Sequence, residues 1–168
     1  MVDFSKSNWQ QEFDEEQLNQ ILWGFEDNLT PEQIFLYADP KFNSDQMWEA
    51  RTGLENGLTM EQVTVYTDPK FNDNQMTQIR LGLENGLTME QVAAYADPKF
   101  NKHQMFQIRL GLKNGLAMEQ IAFYADPKFD STMMQEIRLG LEGKTLLGTK
   151  NSVVRGKTSF DKRQIKRA

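Results

Sequence analysis

The sequence predicts an all-α chain: an α-solenoid of about four and a half 29-residue helix-turn-helix repeats, followed by a basic C-terminal tail. Three observations predict it. The tetrapeptide Asp-Pro-Lys-Phe starts at Asp39, Asp68, Asp97 and Asp126, a fixed interval of 29 residues. Inside that interval, capping residues precede apolar stripes of helical period, as Asn72 and Gln75 precede Met76, Ile79 and Leu83. Residues that tolerate a left-handed backbone recur where a helix has to end, at Asn28, Gly57, Gly86 and Gly115.

The elements follow in order. Residues 1–12 form an N-terminal capping segment, in which Phe4 and Trp9 are expected to fold over the first repeat, because stacked repeats need covered ends. The repeat domain runs over 13–142, with copies at 13–41, 42–70, 71–99 and 100–128 and a half repeat at 129–142. In the 71–99 unit, Asn72 and Gln75 have capping-box spacing and open a long helix. Phe71 and Met76 have the spacing of a hydrophobic staple, repeated as Phe42/Met47 and Phe100/Met105. Gly86 closes that helix, and Asn28 does so in the first copy.

A second, shorter helix opens at Thr88 with Gln91 three residues on; Thr30 and Thr59 repeat the device, with Pro31 at the first helical position of the first copy. It stops near residue 96, because Asp97 precedes a proline and is excluded from the helical region. The pattern predicts long helices near 14–27, 43–56, 72–85, 101–114 and 130–142, and short ones near 31–37, 60–66, 89–95 and 118–124. Ala117 stands where the other copies have a capping threonine, and the missing hydroxyl is expected to cost about 0.5–2 kcal/mol.

Bulk composition narrows the function classes. No apolar run approaches the ~20 residues of a membrane span, and no basic stretch followed by an apolar core marks the N-terminus, so a cytoplasmic location without membrane attachment is the expectation. The absence of cysteine excludes disulfides, thiolate metal sites and cysteine nucleophiles, and the single histidine, His103, excludes a His-based metal cluster. No cofactor and no enzymatic activity are expected, since no nucleophile–histidine pair, phosphate loop or paired-acid geometry can be built. The net charge of −5 divides into −12 over residues 1–142 and +7 over 143–168. Within the body it runs from −6 in the first repeat through −3 and −2 to +2 in the fourth.

Positions that recur in every copy read as scaffold. Arg51, Arg80, Arg109 and Arg138 occupy one equivalent position, either as an anion-binding ladder or, preferably, as stems over apolar surface whose guanidinium groups pair with nearby acids or carbonyls. The first glycine of each Gly-x-x-x-Gly, such as Gly82, is expected to admit a neighbouring helix. Asp68 to Asn74 lacks the calcium-loop pattern, and Glu61, Glu90 and Glu119 suit the positive ends of short helices.

Positions that vary between faithful copies carry the candidate partner-binding residues: Trp48, Thr77, Phe106 and Gln135 in one slot of the long helix, and Phe35, Val65 and Phe123 on the short helices. For Trp48 and Phe106 a second reading stays open, that they fill gaps between slabs. In residues 143–168, Lys150, Arg155, Lys157, Lys162, Arg163, Lys166 and Arg167 are spread over a segment whose composition predicts disorder when unbound. They are candidate contacts to nucleic acid or another anion, including the acidic body of this or another copy.

The unit from Gln75 to Phe100, with its Ile-Arg-x-Gly-Leu-Glu-Asn-Gly-Leu core, resembles helical repeats in accessory proteins of mobile elements and phages of Gram-positive bacteria. The resemblance covers residues 13–142 and implies no catalytic residues. The expected function is a non-enzymatic protein–protein interaction module. The alternative is a nucleic-acid-associated accessory factor that uses the basic tail. A third reading, an acidic mimic of DNA, suits residues 13–70 and conflicts with the positive fourth repeat.

Overall fold

A computed structural model of the chain describes residues 4–6 and 8–144. The seven basic tail positions named above lie outside the described residues. The described chain is all-helical: a 3₁₀ turn at Trp9–Glu12 precedes five long helices, α1 (Glu15–Glu26), α3 (Ser44–Glu55), α5 (Asp73–Glu84), α7 (Lys102–Lys113) and α9 (Ser131–Leu141). Between them lie the short helices α2 (Pro31–Ile34), α4 (Met60–Thr64), α6 (Met89–Ala93) and α8 (Met118–Ile121). Each long helix packs chiefly against the next long helix and against the short helix that follows it. No described helix is long and apolar enough to cross a membrane.

The long helices start where the caps require. In α5, the Asn72 side chain accepts from Gln75 N–H at 2.9 Å while Gln75 Oε1 accepts from Asn72 N–H at 3.0 Å, a complete capping box. The same glutamine then reaches forward: its Nε2 donates to the carbonyls of Phe100 at 2.7 Å and Pro98 at 3.1 Å, in the turn that begins the next copy. Gln17, Gln46 and Gln104 do likewise with Phe42, Phe71 and Phe129. One buried side chain thus caps its own helix and holds the following turn. The last copy, which has no described successor, carries Met133 at this position.

At the other end, Gly86 N–H donates to Leu83 O and Leu87 N–H to Gly82 O, the paired bonds of a Schellman motif with Gly86 at φ +82°. Asn28 adopts φ +64° in the first copy, as its position predicts. The α9 helix is one residue shorter, and its left-handed residue, Gly143, comes correspondingly early.

The short helices end two to three residues before the expected boundary. After α4, Val65 and Tyr66 N–H groups reach back only three residues, to Gln62 and Val63, and Asp68 N–H bonds Tyr66 O. Asp68 must be extended before Pro69, so the chain tightens to 3₁₀ geometry ahead of it instead of completing another α-turn. The Asp68 side chain then accepts from Lys70 N–H at 2.9 Å, which also pulls its pKa below the ordinary value.

That tightening aims a tyrosine at the long helix. Tyr37, Tyr66, Tyr95 and Tyr124 are fully buried, and their hydroxyls donate to the carbonyls of Gln20, Glu49, Gln78 and Gln107. Burial raises the pKa of all four phenols above the ordinary value, so they stay protonated donors. The glycines Gly24, Gly53, Gly82 and Gly111 exist for these hydroxyls: a Cβ on Gly82 would lie 1.9 Å from Tyr95 Oη. The close neighbour is a side chain, not the backbone of another helix.

The core is a continuous row built from the staple and stripe residues, such as Phe71, Met76, Ile79, Leu83, Val92 and Tyr95 in the third copy. At the N-terminal end Phe4 stacks on Phe35 at 4.8 Å between centroids and meets Trp9 and Phe25 edge-on at 4.9 and 5.5 Å, covering the first copy. In α8, Ala117 N–H still donates to Gln120 Oε1 at 2.9 Å, but the reciprocal hydroxyl acceptor is gone and Gln120 N–H turns to Ala117 O. Ala117→Thr is therefore expected to stabilise the protein by about 0.5–2 kcal/mol in urea denaturation. An unchanged or lower midpoint would contradict the cap assignment.

Candidate functional site

The variable slot of the long helices forms one row, Asn19, Trp48, Thr77, Phe106 and Gln135, one residue from each of α1, α3, α5, α7 and α9. Trp48 is 42% exposed and Phe106 39%, so both rings stand at the surface and not between packed helices. Thr77 is half-buried, with its hydroxyl donating to Glu49. Gln135 is half-buried as well. The short-helix candidates sit apart from this row: Phe123 is 55% exposed, Val65 packs on the core, and Phe35 lies beneath Phe4.

Beside the row runs a line of buried arginines that the variable positions alone do not reveal. Each Nε donates back to the preceding copy: Arg51 to Gln20 at 3.1 Å, Arg80 to Glu49 at 2.7 Å, Arg109 to Gln78 at 3.1 Å and Arg138 to Gln107 at 3.0 Å. These acceptors are the residues whose carbonyls receive the tyrosine hydroxyls. One position therefore joins the short helix of its own copy to the arginine of the next. The signal was present in the sequence as an unbroken Gln or Glu immediately after the variable slot.

The guanidinium groups also cover the exposed rings. Arg51 lies 5.5 Å from the Trp23 centroid, Arg80 5.4 Å from Trp48 and Arg109 5.4 Å from Phe106. Nη1 of Arg51, Arg80 and Arg138 meets a carboxylate one turn on, at Glu55, Glu84 and Glu142. Three of the four arginines are thus neutralised within the chain. The fourth has Lys113 at that position.

The carboxylates respond to these surroundings. Burial pushes Glu142, whose side chain is 3% exposed, toward a higher pKa, but hydrogen bonds from Lys144, Asn114 and Arg138 outweigh it and hold the group at about 2. Since that folded value lies below the unfolded one, the interaction is fully present above about pH 4.3 and is lost as pH falls toward 2. For Arg80, burial opposes the charge but hydrogen bonds to Glu49 and Glu84 prevail and raise its pKa. For Arg109, burial prevails and lowers it.

The arrangement can hold aromatic rings at a surface and present a cation beside them. Among the described residues no group of three or more His, Cys, Asp or Glu side chains is placed to hold a metal ion. No protein-family model matches the chain, and neither curated proteins nor solved structures yield a match.

Proposed function

We propose that the chain is an α-solenoid of about four and a half 29-residue repeats that acts, without catalysis, as a protein–protein interaction module. The observation that carries this reading is the exposure of Trp48 and Phe106 in one slot of an otherwise faithfully repeated scaffold. Large aromatics held in place by neighbouring guanidinium groups lose little freedom on binding and make good anchors. The faithful positions supply rigidity; the variable ones supply identity. Trp48→Ala combined with Phe106→Ala is expected to abolish capture of a protein partner from host lysate while helical circular dichroism stays unchanged. Retained capture would reject the row as the binding face, and loss of helicity would assign the two rings to the fold.

A second reading rests on the net charge of +7 over residues 143–168: an accessory factor of a mobile element that contacts nucleic acid through its tail. Capture that is abolished by nuclease and falls steeply with salt would favour it.

A further inference from the structure

The Arg109 neighbourhood contains two donors of a hydrogen-bonding arrangement whose acceptor is missing. In the third copy, Glu84 receives Arg80 Nη1 at 2.8 Å and Asn56 Nδ2 at 2.9 Å. In the fifth, Glu142 receives Arg138 Nη1 at 2.8 Å and Asn114 Nδ2 at 2.9 Å. Each carboxylate is held between the arginine of its own copy and the asparagine that caps the preceding long helix. In the fourth copy both donors remain, as Arg109 and Asn85, but the acid is replaced by Lys113. Asn85 turns back to its own helix, with Nδ2 donating to Leu81 O at 2.5 Å.

Arg109 is 8% exposed; its Nε donates to Gln78 and its Cζ lies over the Phe106 ring, but it has no carboxylate partner among the described residues. Its two Nη groups have no acceptor within the described chain and are not buried, so they reach solvent at the end of an otherwise covered side chain, and a carboxylate is the planar partner that this open end of the fork fits. We propose that Arg109 and Asn85 form a binding slot for a carboxylate supplied from outside, an Asp or Glu side chain of an acidic polypeptide, with exposed Phe106 and Lys113 flanking it. A carboxylate is favoured over other anions because the equivalent slots of the third and fifth copies close on one with the same two donors. The charge of the copy agrees: +2, against negative values in the three before it. This assignment deepens the interaction-module reading by naming the chemistry that the partner brings.

The test is a titration of the full chain with acetyl-hexaglutamate amide, followed through the Arg109 Nε–H resonance, with inorganic phosphate as a parallel titrant. The peptide is expected to shift that resonance saturably. In Lys113→Glu, where an internal carboxylate occupies the slot, its affinity should fall at least about tenfold. Lys102→Glu changes the net charge equally at the far end of α7 and should leave the affinity within about twofold. An Arg109 resonance that does not move, equal loss in the two variants, or tighter binding of phosphate than of the peptide would each overturn the assignment. Because the titration needs no natural partner, failure of partner capture and failure of the slot are separate results.

Discussion

Gly82→Ala is expected to destabilise the protein by about 2–4 kcal/mol, although alanine is the better helix former by up to about 1 kcal/mol. The new Cβ would lie 1.9 Å from Tyr95 Oη, 3.2 Å from its Cζ and 3.3 Å from Leu87 Cδ1. Tyr95 is fully buried and cannot swing into solvent, so the helix and the ring must separate. Overpacking of this kind costs roughly 1–3 kcal/mol, and a buried hydroxyl that loses its acceptor, here Gln78 O, costs a similar amount. Two companion variants make the cause specific. Tyr95→Phe in the Gly82→Ala background removes the offending oxygen and should recover most of the loss. Gly140→Ala, the same repeat position in the last copy, meets no atom within 4 Å and should stabilise by roughly 0.5–1 kcal/mol. Urea denaturation of all three checks the result; the same sign at Gly82 and Gly140 would remove the tyrosine from the explanation.

Arg80→Met is expected to cost about 3–5 kcal/mol, because it strands a charge and not merely a contact. Arg80 and Glu49 have side chains 7% and 5% exposed, and the Nε–Oε2 distance is 2.7 Å. With the guanidinium removed, Glu49 keeps only the Thr77 hydroxyl as a side-chain hydrogen-bond partner among the described residues, while Glu84 retains access to water and to Asn56. The remedy is written in three of the other copies, where the position of Glu49 is taken by Gln20, Gln78 and Gln107. Glu49→Gln should therefore be mild alone and should restore roughly half or more of the stability lost in Arg80→Met. A loss under about 1 kcal/mol, or no restoration, would show that solvent screens the pair.

Much of the helical framework was legible because its signals are local. Asn72 and Gln75 bond within one turn, and Gly86 needs its positive φ whatever surrounds it, so helix starts and long-helix ends follow from neighbouring residues. The short helices stop before the boundary that their period predicts because the 3₁₀ tightening ahead of the proline coincides with a tertiary contact, the seating of Tyr66 or Tyr95 against a glycine 13 residues earlier. Periodicity shows that Gly82 and Tyr95 both recur; it does not show that they touch. The arginines present the same difficulty. The sequence gives their positions and the charge gradient, but only the fold brings Asn56 to Glu84 across 28 residues and so gives the Glu-to-Lys change at 113 a meaning.

The double use of Gln75 has a consequence for cooperativity. A helix cap is ordinarily a local term, indifferent to whether the rest of the chain is assembled. Here the amide that completes the α5 cap is oriented by the carbonyls of the following turn, so undocking that turn frees the cap as well. Nucleating a helix and joining two copies thereby become one event, and the nearest-neighbour coupling gains at the expense of the intrinsic stability of each unit. A chain of near-identical parts, which would otherwise fray one part at a time, is in this way made to open in longer blocks.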